Sequence, residues 1–382
     1  MKAKNLFLSM FVLSMFTACE HGTEPESGNI VSDGSVLQGR ITEDAVLSSG
    51  STYKLNGEYI VSSGATLTIE EGVKIEAIYD DIVDYILIEQ GAKINAIGTS
   101  DNPIVMTSEK KEPGAWGGIH ICGYASTNAE GGLGSSEIGN AQYGGNQDDD
   151  NSGVLKFVRI EYSGYAFDEE HEANGFTFYG VGNGTCVENC QAYKGSDDGF
   201  EFFGGTVNVK NLVALNCSDD SYDWTEGWRG KATNLVAYQQ SAEILGYECD
   251  CLIEADNNEN NYAAQPVSHP ILKNVILVGN NGTKQGIRIR RGSEVELSDV
   301  VVCGKGKPIT VESEETELAL LNKVSKMNNV ISSAALVSEK NIYTNAKFIE
   351  DGNRIDETLK YESFENIKDV CDWITGSWVK YL

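Results

Sequence analysis

Basic residues are scarce in this chain. Its 382 residues hold 29 Lys and Arg against 57 Asp and Glu, a formal net charge of −28 at pH 7. A field of that sign repels nucleic acid, anionic lipid headgroups and polyanionic glycans, and it favours cations and neutral or cation-bridged ligands. Long apolar runs are also missing. The longest, Leu6 to Phe16, is too short to span a bilayer as a helix, and no later segment qualifies. Nine cysteines are present without one Cys-x-x-Cys pair, which argues against a structural zinc site. The only histidines are His21, His120, His171 and His269, and none stands between two glycines. The acidity is not that of a disordered chain, because aliphatic and aromatic residues are interspersed throughout.

What is present is organised around residues 195–230. Ser196-Asp197-Asp198-Gly199-Phe200-Glu201-Phe202 recurs as Ser218-Asp219-Asp220-Ser221-Tyr222-Asp223-Trp224. Asn189 and Asn211 precede the two copies, and Asn234-Leu235-Val236-Ala237-Tyr238 continues the register. A period of about 20–25 residues, with short β-rich segments and glycine turns, signals a β-solenoid. Coils of a solenoid stack at strand spacing, so Asp197 is expected over Asp219, Asp198 over Asp220 and Glu201 over Asp223. Like charges stacked that closely repel and require a cation, a shared proton or a basic partner. These six carboxylates are therefore candidate ligands for a divalent cation, with calcium the natural choice for hard oxygen donors. Arg229 and Lys194 are the nearest basic residues along the chain. Ser-Asp-Asp-Gly is equally good turn chemistry, and the sequence leaves both readings open. Phe200, Phe202, Tyr222 and Trp224 alternate with the acids and are expected as two stacked aromatic rows. If interior, they are core. If exposed, Tyr222, Trp224 and the nearby Trp228 form a ligand platform.

Residues 1–18 read as a signal peptide, with Lys2 and Lys4 ahead of the apolar run. The ending Phe16-Thr17-Ala18-Cys19 resembles a bacterial lipoprotein signal, which implies cleavage before Cys19 and lipid on its sulfur and amino group. Residues 19–50 read as a tether and N-terminal cap, 51–310 as the solenoid, and 311–382 as a C-terminal cap over the last coil. Ile69-Glu70-Glu71-Gly72-Val73-Lys74-Ile75 matches Ile88-Glu89-Gln90-Gly91-Ala92-Lys93-Ile94 at a 19-residue offset, after a half-repeat at Val61-Ser62-Ser63-Gly64-Ala65-Thr66-Leu67. Residues 123–153 interrupt the pattern as a long loop ending in Asp148-Asp149-Asp150-Asn151. Ser313 is placed to cap a helix presenting Leu318, Leu321 and Val324 on one face. The eight cysteines after Cys19 read first as stacked interior thiols and second as one or two disulfides.

Several segments carry a family resemblance. They are Leu67-Thr68-Ile69-Glu70-Glu71-Gly72-Val73-Lys74-Ile75, Gly114-Ala115-Trp116-Gly117-Gly118-Ile119, residues 152–162, and the two Asp-Asp turns with their following strands. Over roughly residues 50–310 the chain resembles right-handed parallel β-helix proteins, and most of all envelope lipoproteins of Bacteroidetes and spirochaetes. That implies an all-β, single-stranded, pectate-lyase-like solenoid with a small helix-containing cap. It also implies an outer-membrane location, with Cys19 as the membrane anchor. Asp198-Gly199-Phe200-Glu201, Asp219-Asp220 and Arg288-Ile289-Arg290 are similar to motifs of polygalacturonase-like hydrolases, whose Gly-His-Gly is absent here. The leading expectation is a surface lipoprotein binding glycan or an envelope protein, with calcium at the acidic rows. The alternative is a polysaccharide hydrolase or lyase using Asp198, Asp219, Asp220, Arg288 and Arg290, with an arginine as the lyase base. A purely structural envelope protein is the third. Cys19→Ala is expected to move the protein from the membrane to the soluble fraction and to abolish incorporation of labelled palmitate.

Overall fold

Corners decide this architecture. The computed structural model describes residues 28–166 and 172–381. The expected signal peptide, Cys19, His21 and His171 lie outside the described residues. Twenty-three strands join in one continuous parallel network, and the chain winds through three sheets in turn. Sheet 1 runs from Asn29–Val31 through Ala45–Leu47, Thr66–Ile69 and Lys93–Ile97 into the first halves of the longer strands Gly153–Glu161, Cys186–Tyr193, Asn208–Leu215 and Lys231–Tyr238. Sheet 2 takes the second halves of those strands. Sheet 3 stacks Tyr85–Ile88, Ile119–Cys122, Phe176–Tyr179, Phe200–Phe203, Tyr222–Thr225 and Ile253–Ala255. This is the parallel β-helix expected from the repeats.

From Gly153–Glu161 onward the chain turns between sheets 1 and 2 on a single left-handed residue. Asn189, Asn211, Asn234 and Asn274 hold φ of 56°, 58°, 62° and 58° there. Left-handed backbone costs an L-residue about 1–2 kcal/mol, and asparagine tolerates it best after glycine. The stacked amides also bond to one another: Asn234 Nδ2 donates to Asn211 Oδ1 at 2.7 Å, and Asn274 Nδ2 to Asn234 Oδ1 at 3.1 Å. The asparagines noted in the sequence are thus one ladder.

The 19-residue match reports something other than the coil period. Thr66 pairs with Lys93, and Val61 with Ile88. The segment from Ile69 turns from sheet 1 into sheet 2, whereas the segment from Ile88 turns from sheet 3 into sheet 1. Two different corners share one grammar, with a left-handed Gly72 or Gly91 between apolar residues. The true counterpart of residues 88–94 is the half-repeat at 61–67.

The boundaries also move. Strands begin at Asn29, so most of the expected tether is already solenoid. Coils also continue past residue 310, where Lys326–Ser332 and Val337–Ser338 extend the sheets. The flanks read as polar because terminal coils expose more of each strand, as with Ile30 at 74%. Ser313 does cap a helix, Glu314–Leu321, by accepting from Thr316 N. Its inward face is Thr316, Glu317, Ala319 and Leu320, while Leu321 and Val324 are exposed, contrary to expectation. Residues 242–245 form a short helix. Cys122, Cys190, Cys217, Cys249, Cys251, Cys303 and Cys371 are free and buried, in line with the thiol reading, but Cys186 is disulfide-bonded, as the second reading allowed. Among the described residues no helix is long and apolar enough to cross a membrane.

Aromatic stacking fills the bore beneath sheet 3. Phe176, Phe200 and Tyr222 form one row, with ring centroids 4.8 and 5.5 Å apart. Phe178 stacks on Phe202 at 5.2 Å. The second row then departs from expectation: Trp228 swings in to stack on Phe202 at 4.1 Å, and Trp224 tilts against Trp228. Tyr222, Trp224 and Trp228 are 2%, 1% and 1% exposed, which rules them out as a ligand platform. Their polar atoms are spent internally, with Trp224 Nε1 on Ser293 Oγ at 3.1 Å and Tyr222 Oη 2.9 Å from the Val236 carbonyl. Trp224→Ala is expected to cost about 3–5 kcal/mol of stability, read as a lower urea midpoint.

Candidate functional site

Alternation along the strands of sheet 3 sends the aromatics inward and their neighbours outward. Thr177, Glu201, Asp223, Glu254 and Arg288 form one outward line across five consecutive strands. The expected stacking of Glu201 on Asp223 is therefore present. Just before each strand, the Asp-Asp turns add a second line. There Asp198 Oδ1 accepts from Asp220 N at 2.9 Å, and Asp220 Oδ1 accepts from Cys251 N at 2.6 Å. One oxygen of each thus serves the next turn, as the turn-chemistry reading requires.

The carboxyl groups also converge. Ligand atoms of Asp198, Glu201 and Asp223 lie within 4.8 Å of one another, as do those of Asp220, Asp223 and Glu254. Asp198 with Asp219 and Asp220, and Glu172 with Asp197 and Asp219, make two further such groups. Asp223 belongs to two of them, and its Oδ1 is closed to solvent without a hydrogen-bond partner. At one end of the line Asn174 Nδ2 donates to Glu201 Oε2 at 2.5 Å. At the other Arg288 meets Glu254 at 3.1 Å and Glu312 at 3.0 Å, while Arg290 bonds Glu254 and, at 2.7 Å, Asp256. The carboxylates between are left to one another.

Their proton affinities follow. Burial, then the charge of Asp219, raises the pKa of Asp197 well above the ordinary value. Burial and the neighbouring acids do the same for Asp198, Glu201, Asp220 and Asp223. Asp219 and Glu254 are raised as well, burial leading. For Arg288, burial works against the charge but is outweighed by the hydrogen bonds to Glu312 and the charge of Glu254, so its pKa is raised. Arg290 is raised by the same balance against Asp256 and Glu254. That opposes the base role suggested for these arginines, since a base must first lose its proton. Arg229 and Lys194 do not serve the acids either. Arg229 pairs with Asp148 at 3.1 Å, and Lys194 lies 5.5 Å from the Tyr193 ring.

Residues 123–153, expected as a loop, form a cover, with only Gly153 joining the next strand. A hairpin of Leu133–Ser135 and Gln142–Gly144 lies on the outside of sheet 3, where Ile138 and Tyr143 pack against Tyr85, Tyr179 and Phe203. This buries His120 completely, with its Nε2 2.7 Å from the Gly117 carbonyl and its pKa lowered by burial to about 4. His269 pairs with Glu294 at 2.9 Å. Neither histidine belongs to the carboxylate groups.

The winding and the parallel register fit one family. A family model described as a pectate-lyase-like β-helix domain matches residues 39–380. The chain belongs to that family. No curated protein matches it, and no solved structure does. Within this pectate-lyase-like β-helix, Asp198, Asp219 and Asp220 come together, and Arg288 and Arg290 stand one coil beyond Glu254. Glu254, Glu172 and Asn174 escaped the sequence reading. The Ile253-Glu254-Ala255 alternation was the available signal for Glu254, but residues 239–252 displace it from the 22-residue spacing of the Asp turns.

A carboxyl whose folded pKa is raised stabilises the fold fully below its unfolded pKa and loses that contribution as pH climbs to the folded value. In chelator, the melting temperature is therefore expected to fall as pH rises from about 4 toward the raised values. Asp223→Asn is expected to flatten that slope, checked by thermal melts across pH.

Proposed function

We propose that the protein is a binding module of the bacterial envelope, anchored to the outer membrane through a lipid on Cys19. Its acidic shelf takes a divalent cation, calcium, and through it a glycan. The observation carrying this reading is Asp223, whose solvent-closed and unpartnered oxygen sits where two carboxylate groups from three consecutive coils overlap. An orphaned buried acceptor costs about 1–3 kcal/mol and more when charged, and a hard cation relieves both the orphan and the repulsion. Asp198, Glu201, Asp223, Asp220 and Glu254 would hold it, with Asp197 and Asp219 at the turn side. Calcium takes 6–8 oxygen ligands, so positions remain for solvent or for sugar hydroxyls and carboxylates. A strongly negative surface needs such a bridge to approach an acidic sugar.

A hydrolase is the second reading. What favours it is the group Asp198, Asp219 and Asp220, carboxyls whose pKa values burial raises, since glycoside hydrolysis uses one raised carboxyl as acid and a second as base or nucleophile. The two readings separate by experiment. Calcium at about 100 times its Kd is expected to add about 2.7 kcal/mol of stability to chelator-stripped protein, and Asp223→Asn to abolish the shift. Retention of uronate-containing glycans is expected only with calcium. No thermal shift and no heat in calorimetry would reject the cation. Reducing ends released in chelator, and lost in Asp198→Asn, would select the hydrolase.

A further inference from the structure

In a solenoid each coil touches only its neighbours, so the ends can fray independently of the middle. The C-terminal segment departs from this rule. The last strand, Arg354–Ile355, pairs with residues 331–332 of sheet 2. The chain then does not close the final coil, as a cap was expected to do. It turns back and runs along the outside of sheet 2, over a seam that includes Tyr193, Leu215, Tyr238 and Val278. Phe364, Ile367, Ile374 and Trp378 bury themselves in that seam. Phe364 packs on Tyr238 at 5.9 Å, and Trp378 packs edge-on to Phe157 at 6.0 Å.

The far end is tied down by polar bonds. Arg159 donates to the carbonyls of Ser377 and Trp378 at 2.9 and 3.1 Å. Gln191 and Lys380 exchange two bonds of 2.7 Å, one from Lys380 N to Gln191 Oε1 and one from Gln191 Nε2 to Lys380 O. Lys380 Nζ reaches Glu161 at 3.0 Å. Ser377 N donates to the Ser100 carbonyl at 2.7 Å. Gly376, at φ 77°, passes so close that a Cβ would lie 2.4 Å from that same carbonyl. Phe157, at φ 52°, occupies the sheet 1–2 corner at the position asparagines fill in later coils, and Trp378 covers it.

We propose that residues 356–381 are a clip that couples coils out of contact with one another, so that the solenoid opens as one unit instead of coil by coil. Its release uncovers an apolar seam along sheet 2. The clip ties the coil of Ser100 to the coil of residues 331–332, and its loss removes the only described path between those coils that bypasses the stack.

The test compares the full-length protein with a chain ending at residue 375, by hydrogen exchange and urea unfolding. Loss of protection is expected in Gly153–Glu161, which the removed residues touch, and also in Lys326–Ser332, which they do not. The single urea transition is expected to split, and an apolar dye to bind. Protection lost only in the coils that the removed residues touched would overturn the proposal, leaving ordinary local packing. Should the shortened chain fail to fold, Gly376→Ala decides. It keeps every other group and wedges the clip off Ser100, and the same two patterns of exchange separate coupling from local packing.

Discussion

Stacking of like on like is the constraint on which this protein rests. A parallel coil places each residue beside its counterpart one strand spacing away, whatever that counterpart is. Where the residue is aromatic or aliphatic, repetition is favourable and builds the bore, from Phe176 through Phe200 to Tyr222. Where it is asparagine, the amide donates on one side and accepts on the other, and the row becomes a ladder. Where it is a carboxylate, the same geometry is unfavourable. The acidic shelf and the core come from one register, with side chains on alternate sides of the same strands.

That common origin explains why the shelf persists in one place. Glu201 and Asp223 cannot drift apart without breaking the pairing of Phe200 with Tyr222 beneath them. The arginines of the next coils neutralise only the end of the line, at Glu254 and Asp256. The hairpin across sheet 3 covers the apolar stretch near Tyr179 and Tyr143, and its Glu137 adds a further negative charge beside Glu201. The shelf is thus rigid, hemmed by neutral donors on one side and guanidinium on the other, and concentrated in negative charge between.

Much of this was legible in the residues. The paired Asp turns implied both the coil and the stacking of Glu201 on Asp223, because a 22-residue repeat there coincides with true coil spacing. The aromatic rows followed from alternation, except at Trp228, where a turn residue enters the bore and no period announces it. The 19-residue repeat misled, because corner chemistry recurs at different edges of the same coil and resembles periodicity. The third acid, Glu254, was hidden by the excursion before it. The path of the C-terminal segment was hidden most completely. It read as a cap over the last coil, and nothing local says that its apolar residues bury against the side of the solenoid instead of its end.

The three edges of the coil differ in what they allow. From Gly153–Glu161 onward a single left-handed residue makes the bend where sheet 1 meets sheet 2, at Asn189, Asn211, Asn234 and Asn274 alike, whereas the earlier coils turn there through residues 48–51, 70–73 and 98–103. An added residue there would break an amide ladder and shift the register of two sheets together. The other two edges carry excursions of every size, from the short Asp turns to the hairpin-bearing residues 123–152 and the asparagine-rich stretch after Asp256. In these later coils one edge therefore acts as a binding spine, and the other two as margins where text can be inserted without renumbering the lines. New recognition surface can be written on either flank of sheet 3, beside the acids, while the spine keeps the coils in count.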